Sequence, residues 1–361
     1  MKLSQIGEFE FIQRISKKFP LPKKGKKSPT QLVGIGDDCA VIPQSKSLSL
    51  LVTTDMLVEN THFIVQQITP KDLGYKSLAV NLSDIAAMGG IPRYAFLSLG
   101  LPPNLDIKWL DLFFAGFKQL SQKHDVLLIG GDTTRSASSI IINVTLFGSA
   151  DPQKIKWRST AQPGDLICVT RCLGDSGGGF KALNNSTRNI NNIKATNSPT
   201  TSHSTDSSRL LQRNIEYLLR HHFRPQPQIP QGQWLAKQTA VHAMMDVSDG
   251  INSDLRRIME QSQCGAKIHI EKLPLSRPLK NVCKHFNWDP WELAALSGED
   301  YCLLVTVDPK KFETLSQNFY TRFRQSLFPI GEITNTTGKL SYFLHSEPFS
   351  FKSKGFEHFP G

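Results

Sequence analysis

The apolar runs of this 361-residue chain are short, and several stop on aspartates that stand beside glycine, serine or threonine. SLSLLVTTD ends at Asp55, DVLLIGGD ends at Asp132, and AVHAMMDVSD carries Asp246 and Asp249. Together with SIIINVTLFG, DLICVTR and YCLLVTVD they have the length and β-branched content of strands. Between them, DLGYKSLAVNLSDIAAMGG, IKWLDLFFAGFKQLSQKH and GINSDLRRIMEQSQ repeat their apolar positions at helical spacing. Alternating strands and helices predict an α/β or α+β fold. The stretch 151–164 (DPQKIKWRSTAQPG) interrupts the pattern, so two domains are expected, 1–150 and 151–361. With 39% hydrophobic and 20% charged residues, a packed core is expected in each.

The net charge of +11 is local in origin. Residues 14–27 (RISKKFPLPKKGKK) hold seven Lys or Arg and no acid, in a run broken by Pro20, Pro22 and Gly25. That composition reads as a solvated basic loop over 17–30, with no helical or aromatic-interleaved motif for nucleic acid. Residues 184–208, rich in Asn, Ser and Thr, are expected to form a disordered insert. Six cysteines lie scattered without a C-x-x-C pair, which argues against zinc or disulfides and fits a reducing compartment. No run approaches the roughly 20 apolar residues of a membrane span. The amphipathic opening MKLSQIGEFEFIQRIS lacks the apolar centre of a secretory signal, so a cytoplasmic protein is expected.

One acid after a strand ordinarily caps a helix or makes a turn. Here Asp37 and Asp38 follow Gly34 and Gly36, Thr53 and Thr54 precede Asp55, Asp84 lies on a helix, and Thr133, Thr134 and Arg135 follow Asp132. Ser248 separates Asp246 from Asp249, and Gly250 opens the next helix. If these acids converge, each pair 4 Å apart repels by about 4 kcal/mol at an effective dielectric near 20. A cation must offset that. A donor set of carboxylates and hydroxyls suits Mg²⁺, whose sites commonly also hold substrate phosphates. GIGDD and GGDTT could bring backbone N–H groups to phosphate oxygens. Neither is a Walker loop, and the H-R-D and D-F-G signatures of protein kinases are absent. The third glycine run, GDSGGGF, reads as a tightly packed helix entrance.

GIGDDCAV, VTTDMLVENTHF, KSLAVNLSDIAAMGGIP, LIGGDTTRS, RSTAQPGD, DVSDG, SGEDY and KGFEHF occur in the order found in thiamine-monophosphate kinases, and the chain resembles that family over nearly its whole length outside the two inserts. The resemblance implies a two-domain aminoimidazole ribonucleotide synthetase-like fold, with an N-terminal domain that forms an inter-subunit β-barrel in a homodimer. It implies direct in-line transfer of phosphate from ATP to thiamine monophosphate, giving thiamine diphosphate. By the same resemblance Asp38, Thr53, Thr54, Asp55, Asp84, Asp132, Asp246 and Asp249 are magnesium ligands, with Asp38, Asp55, Asp132 and Asp249 central to catalysis. Gly131, Asp132, Arg158 and Ser248 contact ATP, and His62, Glu299 and Phe356 hold the acceptor. Ser297 and Cys302 depart from the family's usual GGEDYEL, which predicts a shifted loop. The alternatives are a sister synthetase, making aminoimidazole ribonucleotide or selenophosphate, and a non-catalytic nucleotide-binding protein. The first 30 residues hold no Cys of the kind a selenophosphate synthetase uses.

Overall fold

The computed structural model describes residues 7–21, 32–193 and 206–351. Most of the basic loop, the centre of the second insert and Phe356 lie outside the described residues. The amphipathic opening forms helix α1 (Gly7–Lys18). The first sheet comprises β1 (Ala40–Pro43), β2 (Ser49–Val58), β3 (Ile91–Leu101), β4 (Leu127–Arg135) and β5 (Ile141–Ala150), in the order β1-β2-β5-β3-β4. All its pairings are antiparallel except β3 with β4. A parallel pair needs a crossover, and helix α3 (Ile107–Lys123) supplies it.

Helix α2 (Pro70–Ala87) spans one face of this sheet. Its start is written in the sequence: Pro70 occupies the first turn, and the Thr69 hydroxyl accepts the Asp72 N–H at 3.1 Å. Its near-continuous apolar and small residues bury it on almost every side, between the sheet, α3 and the second domain.

The second sheet holds β6 (Leu166–Val169), β7 (Val241–Asp246), β8 (Gly265–His269), β9 (Leu303–Val307), β10 (Phe328–Thr334), β11 (Leu340–Leu344) and β12 (Glu347–Phe349), in the order β12-β11-β8-β10-β6-β9-β7. Around it run α4 (Asp175–Ile193), α5 (Asp206–Phe223), α6 (Ile229–Ala236), α7 (Ile251–Ser262), α8 (Arg277–Phe286), α9 (Pro290–Leu296) and α10 (Phe312–Phe323). One hydrophobic core runs through both halves: Leu51, Leu82 and Ile85 from the first join Leu235, Val241 and Val305 from the second.

Three expectations change. Residues 184–193, read as irregular insert, continue α4 as helix, and 206–208 begin α5; residues 194–205 lie outside the described residues. Asp55 and Asp132 do not end their strands, because β2 continues to Val58 and β4 to Arg135. A strand tolerates an interior acid when the face that bears it opens away from the core. Finally, both sheets are open, and the described residues form no closed barrel.

Candidate active site

Where the two sheets face each other across α2, a cleft of about 1360 Å³ is lined by both halves of the chain. Helix α2 forms its floor. Lys76, Val80, Ser83 and Asp84 recur at helical spacing on one stripe, of which Val80 and Asp84 line the cleft, and each polar member has a partner from another element. Lys76 Nζ meets Glu299 Oε1 at 2.8 Å, Ser83 Oγ donates to Asp246 Oδ2 at 2.6 Å, and Asp84 Oδ2 accepts the Thr53 hydroxyl.

The acids converge in the middle. Asp38, Asp84 and Asp246 each bring one carboxylate oxygen within 4.8 Å of the others. They come from a loop that follows Gly34 and Gly36, a helix and a strand end, so no one element could have shown the cluster. Burial and the neighbouring charges Asp55, Asp246 and Asp38 raise Asp84 well above the usual carboxylate range. Burial, then Asp38, pushes Asp246 up to about 7. Asp55, on the same face of β2 as Thr53, is raised to about 6 by burial and by Asp249 from the other domain. This mutual repulsion is of the kind that a shared cation would relieve. The donors are all oxygens, and the set fits Mg²⁺.

Flanking cations position the acids. The Arg158 guanidinium, 7% exposed, bonds both oxygens of Asp38 and lies 3.6 Å from Asp37. Burial disfavours its charge, but Asp38 and Asp37 more than offset that and hold it protonated. Asp37, outside the expected ligand set, is pushed up to about 7 by burial and by Asp38. Arg257 of α7 pairs with Asp249, whose N–H donates to Asp254 at 3.1 Å. Thr54 lines the cleft, yet its side chain lies on the opposite face of β2 from Thr53. There its hydroxyl bonds the Val144 carbonyl at 3.2 Å and the Thr145 hydroxyl at 3.1 Å.

At one end of the cleft stands Glu299, in the segment 297–301. Glu299 has φ 63° and Tyr301 φ 47°, so the backbone is left-handed at both. The Glu299 N–H donates to Ser248 O at 2.7 Å, tying this segment to the loop that bears Asp249. Gly298 is required there, since a Cβ would come within 2.2 Å of Ser248 O. Glu299 is fixed by Lys76 on one oxygen and by His222 Nδ1, at 3.1 Å, on the other. Burial would raise its pKa, but Lys76 and His222 override that and hold it well below the usual range. Burial and Lys76 lower His222, against Glu299, which favours its charge. Asp300 turns the other way and accepts the Gly174 N–H at 2.7 Å and the Ser176 N–H at 3.4 Å. His62 lines the cleft and accepts the Val58 N–H at Nδ1, 3.0 Å away.

Of the residues expected in the site, Asp38, Thr53, Thr54, Asp55, His62, Asp84, Arg158, Asp246, Ser248, Asp249 and Glu299 line this cleft. Gly131 and Asp132 do not. They lie on edge strand β4, with Asp132 in register with Ser98 of β3 and separated from β2 by β3 and β5. Phe356 is outside the described residues. Lys76, Ser83, His222 and Arg257 were not anticipated. The one available signal was Lys76, the single cation between Gly74 and Ala87 in a helical stretch of mainly apolar and small residues.

Residues 36–150 match the family described as AIR synthase related protein, N-terminal domain, and residues 162–342 match its C-terminal domain. The thiamine-monophosphate kinase of Buchnera aphidicola subsp. Acyrthosiphon pisum is 37% identical over 352 residues, 98% of each chain. The solved thiamine monophosphate kinase of Aquifex aeolicus superposes with TM-score 0.75 at 27% identity, covering 97% of this chain and all of that one. A structure described as AaThiL complexed with AMPPCP and TMP superposes with TM-score 0.78 at 29% identity, covering 99% of both chains.

Proposed function

This chain belongs to the thiamine-monophosphate kinase family, and on that premise we propose that it transfers the terminal phosphoryl group of ATP to thiamine monophosphate, giving ADP and thiamine diphosphate. The observation that carries this is the meeting of Asp38, Asp84 and Asp246 in a cleft that Glu299, paired with the buried Lys76, also lines. The AMPPCP and TMP bound by the similar AaThiL are an ATP analogue and the acceptor, the two ligands such a cleft requires.

A phosphate oxygen of the acceptor attacks the γ-phosphorus while the bond to the departing ADP breaks in line. The acceptor phosphate is already ionised, so no general base is needed, and positioning with charge neutralisation does the work. Asp38, Thr53, Asp55, Asp84, Asp246 and Asp249 would hold Mg²⁺, which would supply positive charge to offset these carboxylates and the phosphates. Arg158, fixed by Asp38 and Asp37, offers its guanidinium to nucleotide phosphate, and Ser248 flanks it. Glu299 and His62 hold the acceptor, together with Phe356. We take 1–150 and 151–361 as the two domains and the cytoplasm as the setting. Among the described residues no helix is long and apolar enough to cross a membrane.

Gly131 and Asp132 belong to this reading only if a second copy is present. Strand β4 is exposed along its length, including Leu127 at 60% and Ile129 at 53%. A long apolar edge strand left uncovered invites pairing with another chain. We assign it to a homodimer in which the N-terminal sheets close an inter-subunit barrel and Asp132 reaches the partner's site.

The deciding measurement is incubation with ATP, Mg²⁺ and thiamine monophosphate, with thiamine diphosphate resolved by chromatography. Magnesium-dependent product is expected. ATP consumption that requires a ribonucleotide acceptor or selenide instead would transfer the chain to a sister activity.

A further inference from the structure

The run GDSGGGF is the glycine motif that phosphate chemistry leaves unused, and its role is mechanical. A Cβ on Gly177 would come within 2.1 Å of Ser297 Oγ, on Gly178 within 2.6 Å of Leu279, and on Gly179 within 2.5 Å of the Leu218 carbonyl. Three bare positions therefore let α4 close on the Glu299 segment, on α8 and on α5 together. Phe180 is the first large side chain after them. It stands three and four residues beyond Gly177 and Ser176, shares their helix face, and lines the same end of the cleft.

Its ring remains 49% exposed within that concave site. His222 backs it with ring centroids 5.5 Å apart and leans in turn on Phe223 at 5.1 Å. His222 also holds Glu299, so the aromatic wall and the carboxylate form one assembly. Ser176 Oγ lies 3.0 Å from His222 Nδ1 and steadies the imidazole from α4 itself.

We propose that Phe180 determines acceptor specificity: its ring, backed by His222, is the face on which a flat heteroaromatic ring of the acceptor stacks beside Glu299. This rests on the phosphotransferase reading above and names the part of the acceptor that the cleft selects. An aromatic face carries negative quadrupole charge and favours a flat, electron-poor or cationic ring. An aliphatic phosphate ester gains nothing from it.

The test uses the full chain with Phe180→Ala and Phe180→Trp, which fold because the side chain is half exposed; circular dichroism verifies this. In Phe180→Ala the KM for thiamine monophosphate should rise about tenfold, the scale of a partly desolvated stacking contact, with kcat and the KM for ATP within about twofold. Phe180→Trp should restore the KM. Its added fluorescence, over that of the unsubstituted chain, should be quenched by thiamine monophosphate and not by ATP. An unchanged acceptor KM in the Ala variant, an equal rise for ATP, or no quenching overturns the proposal while the kinase reading stands. Lack of thiamine diphosphate formation by the unsubstituted chain removes the premise itself.

Discussion

At the scale of single residues, the acids work against the stability of the metal-free protein. Asp84 is raised well above the ordinary range by burial and by Asp55, Asp246 and Asp38. Asp84→Asn removes one repelling charge and leaves an amide oxygen to accept the Thr53 hydroxyl. The metal-free variant should melt several degrees higher, a gain of about 1 kcal/mol or more. Magnesium-dependent transfer should fall about 10²-fold or more, as should that of Asp55→Asn and Asp249→Asn, measured as thiamine diphosphate formed. A lower melting temperature in Asp84→Asn would show that repulsion does not dominate the cluster. Asp300 gives a pH test away from the acidic cluster. Burial raises it to about 8, against the Gly174 and Ser176 N–H groups that favour its charge. A raised carboxyl contributes stability below its unfolded value, and that contribution is lost as pH rises towards the folded value. The stability gap between wild type and Asp300→Asn should therefore move in the variant's favour from pH 5 to 8 and level off above. Urea titrations across that range would reveal it, and a gap independent of pH would contradict the assignment.

At the scale of elements, α2 is the member on which the site depends, and glycines let its neighbours approach. A Cβ on Gly116 of α3 would come within 1.8 Å of the Lys71 carbonyl, and one on Gly232 of α6 within 2.0 Å of the Ala86 carbonyl. Both obstacles are backbone and cannot rotate aside. Gly116→Ala should cost about 1–3 kcal/mol, or more if α2 cannot shift, and should lower turnover as well because Lys76, Ser83 and Asp84 ride on the displaced helix. Thermal melting followed by far-ultraviolet circular dichroism measures the first effect. Helices α3 and α7 were legible as long periodic stretches, and α2 as a long run of apolar and small residues that starts at Thr69 and Pro70. Strand β3 was not: IPRYAFLSLGL holds a proline, an arginine and a glycine, and becomes a strand only through its pairing with β5 and β4. The continuation of α4 through Asn- and Ser-rich residues was missed for a similar reason. Its first turns are locked to α5 and α8, and the helix propagates beyond them.

For the whole molecule, the question is what covers β4. In the proposed dimer Asp132 serves the partner's site, so Asp55→Asn and Asp132→Asn chains should complement each other. Each alone is expected to be nearly inactive. Unfolded and refolded together, they form mixed dimers with one intact site, and ~25% of wild-type activity should return. No recovery in a mixture shown to be dimeric would confine Asp132 to its own chain. Ile129→Lys puts a charge in the apolar edge and should shift sedimentation from dimer to monomer, with transfer lost in parallel.

The motifs by themselves indicated the class of fold and named eleven of the residues that line the cleft, because glycine-flanked acids and strand or helix periodicity are local properties of the chain. Through the family resemblance they also pointed to Glu299, which lines the cleft. What only the tertiary structure decided is which of these groups meet. Asp38, Asp84 and Asp246 come from a loop, a helix and a strand end, joined through contacts more than a hundred residues apart in sequence. Their shifted acidities follow from that burial and not from composition. Lys76 and His222 take their parts only because α2 and α5 deliver them to opposite oxygens of one carboxylate. Asp132 shows the converse: its motif matches the others, yet the order of strands carries it to the far edge of the sheet.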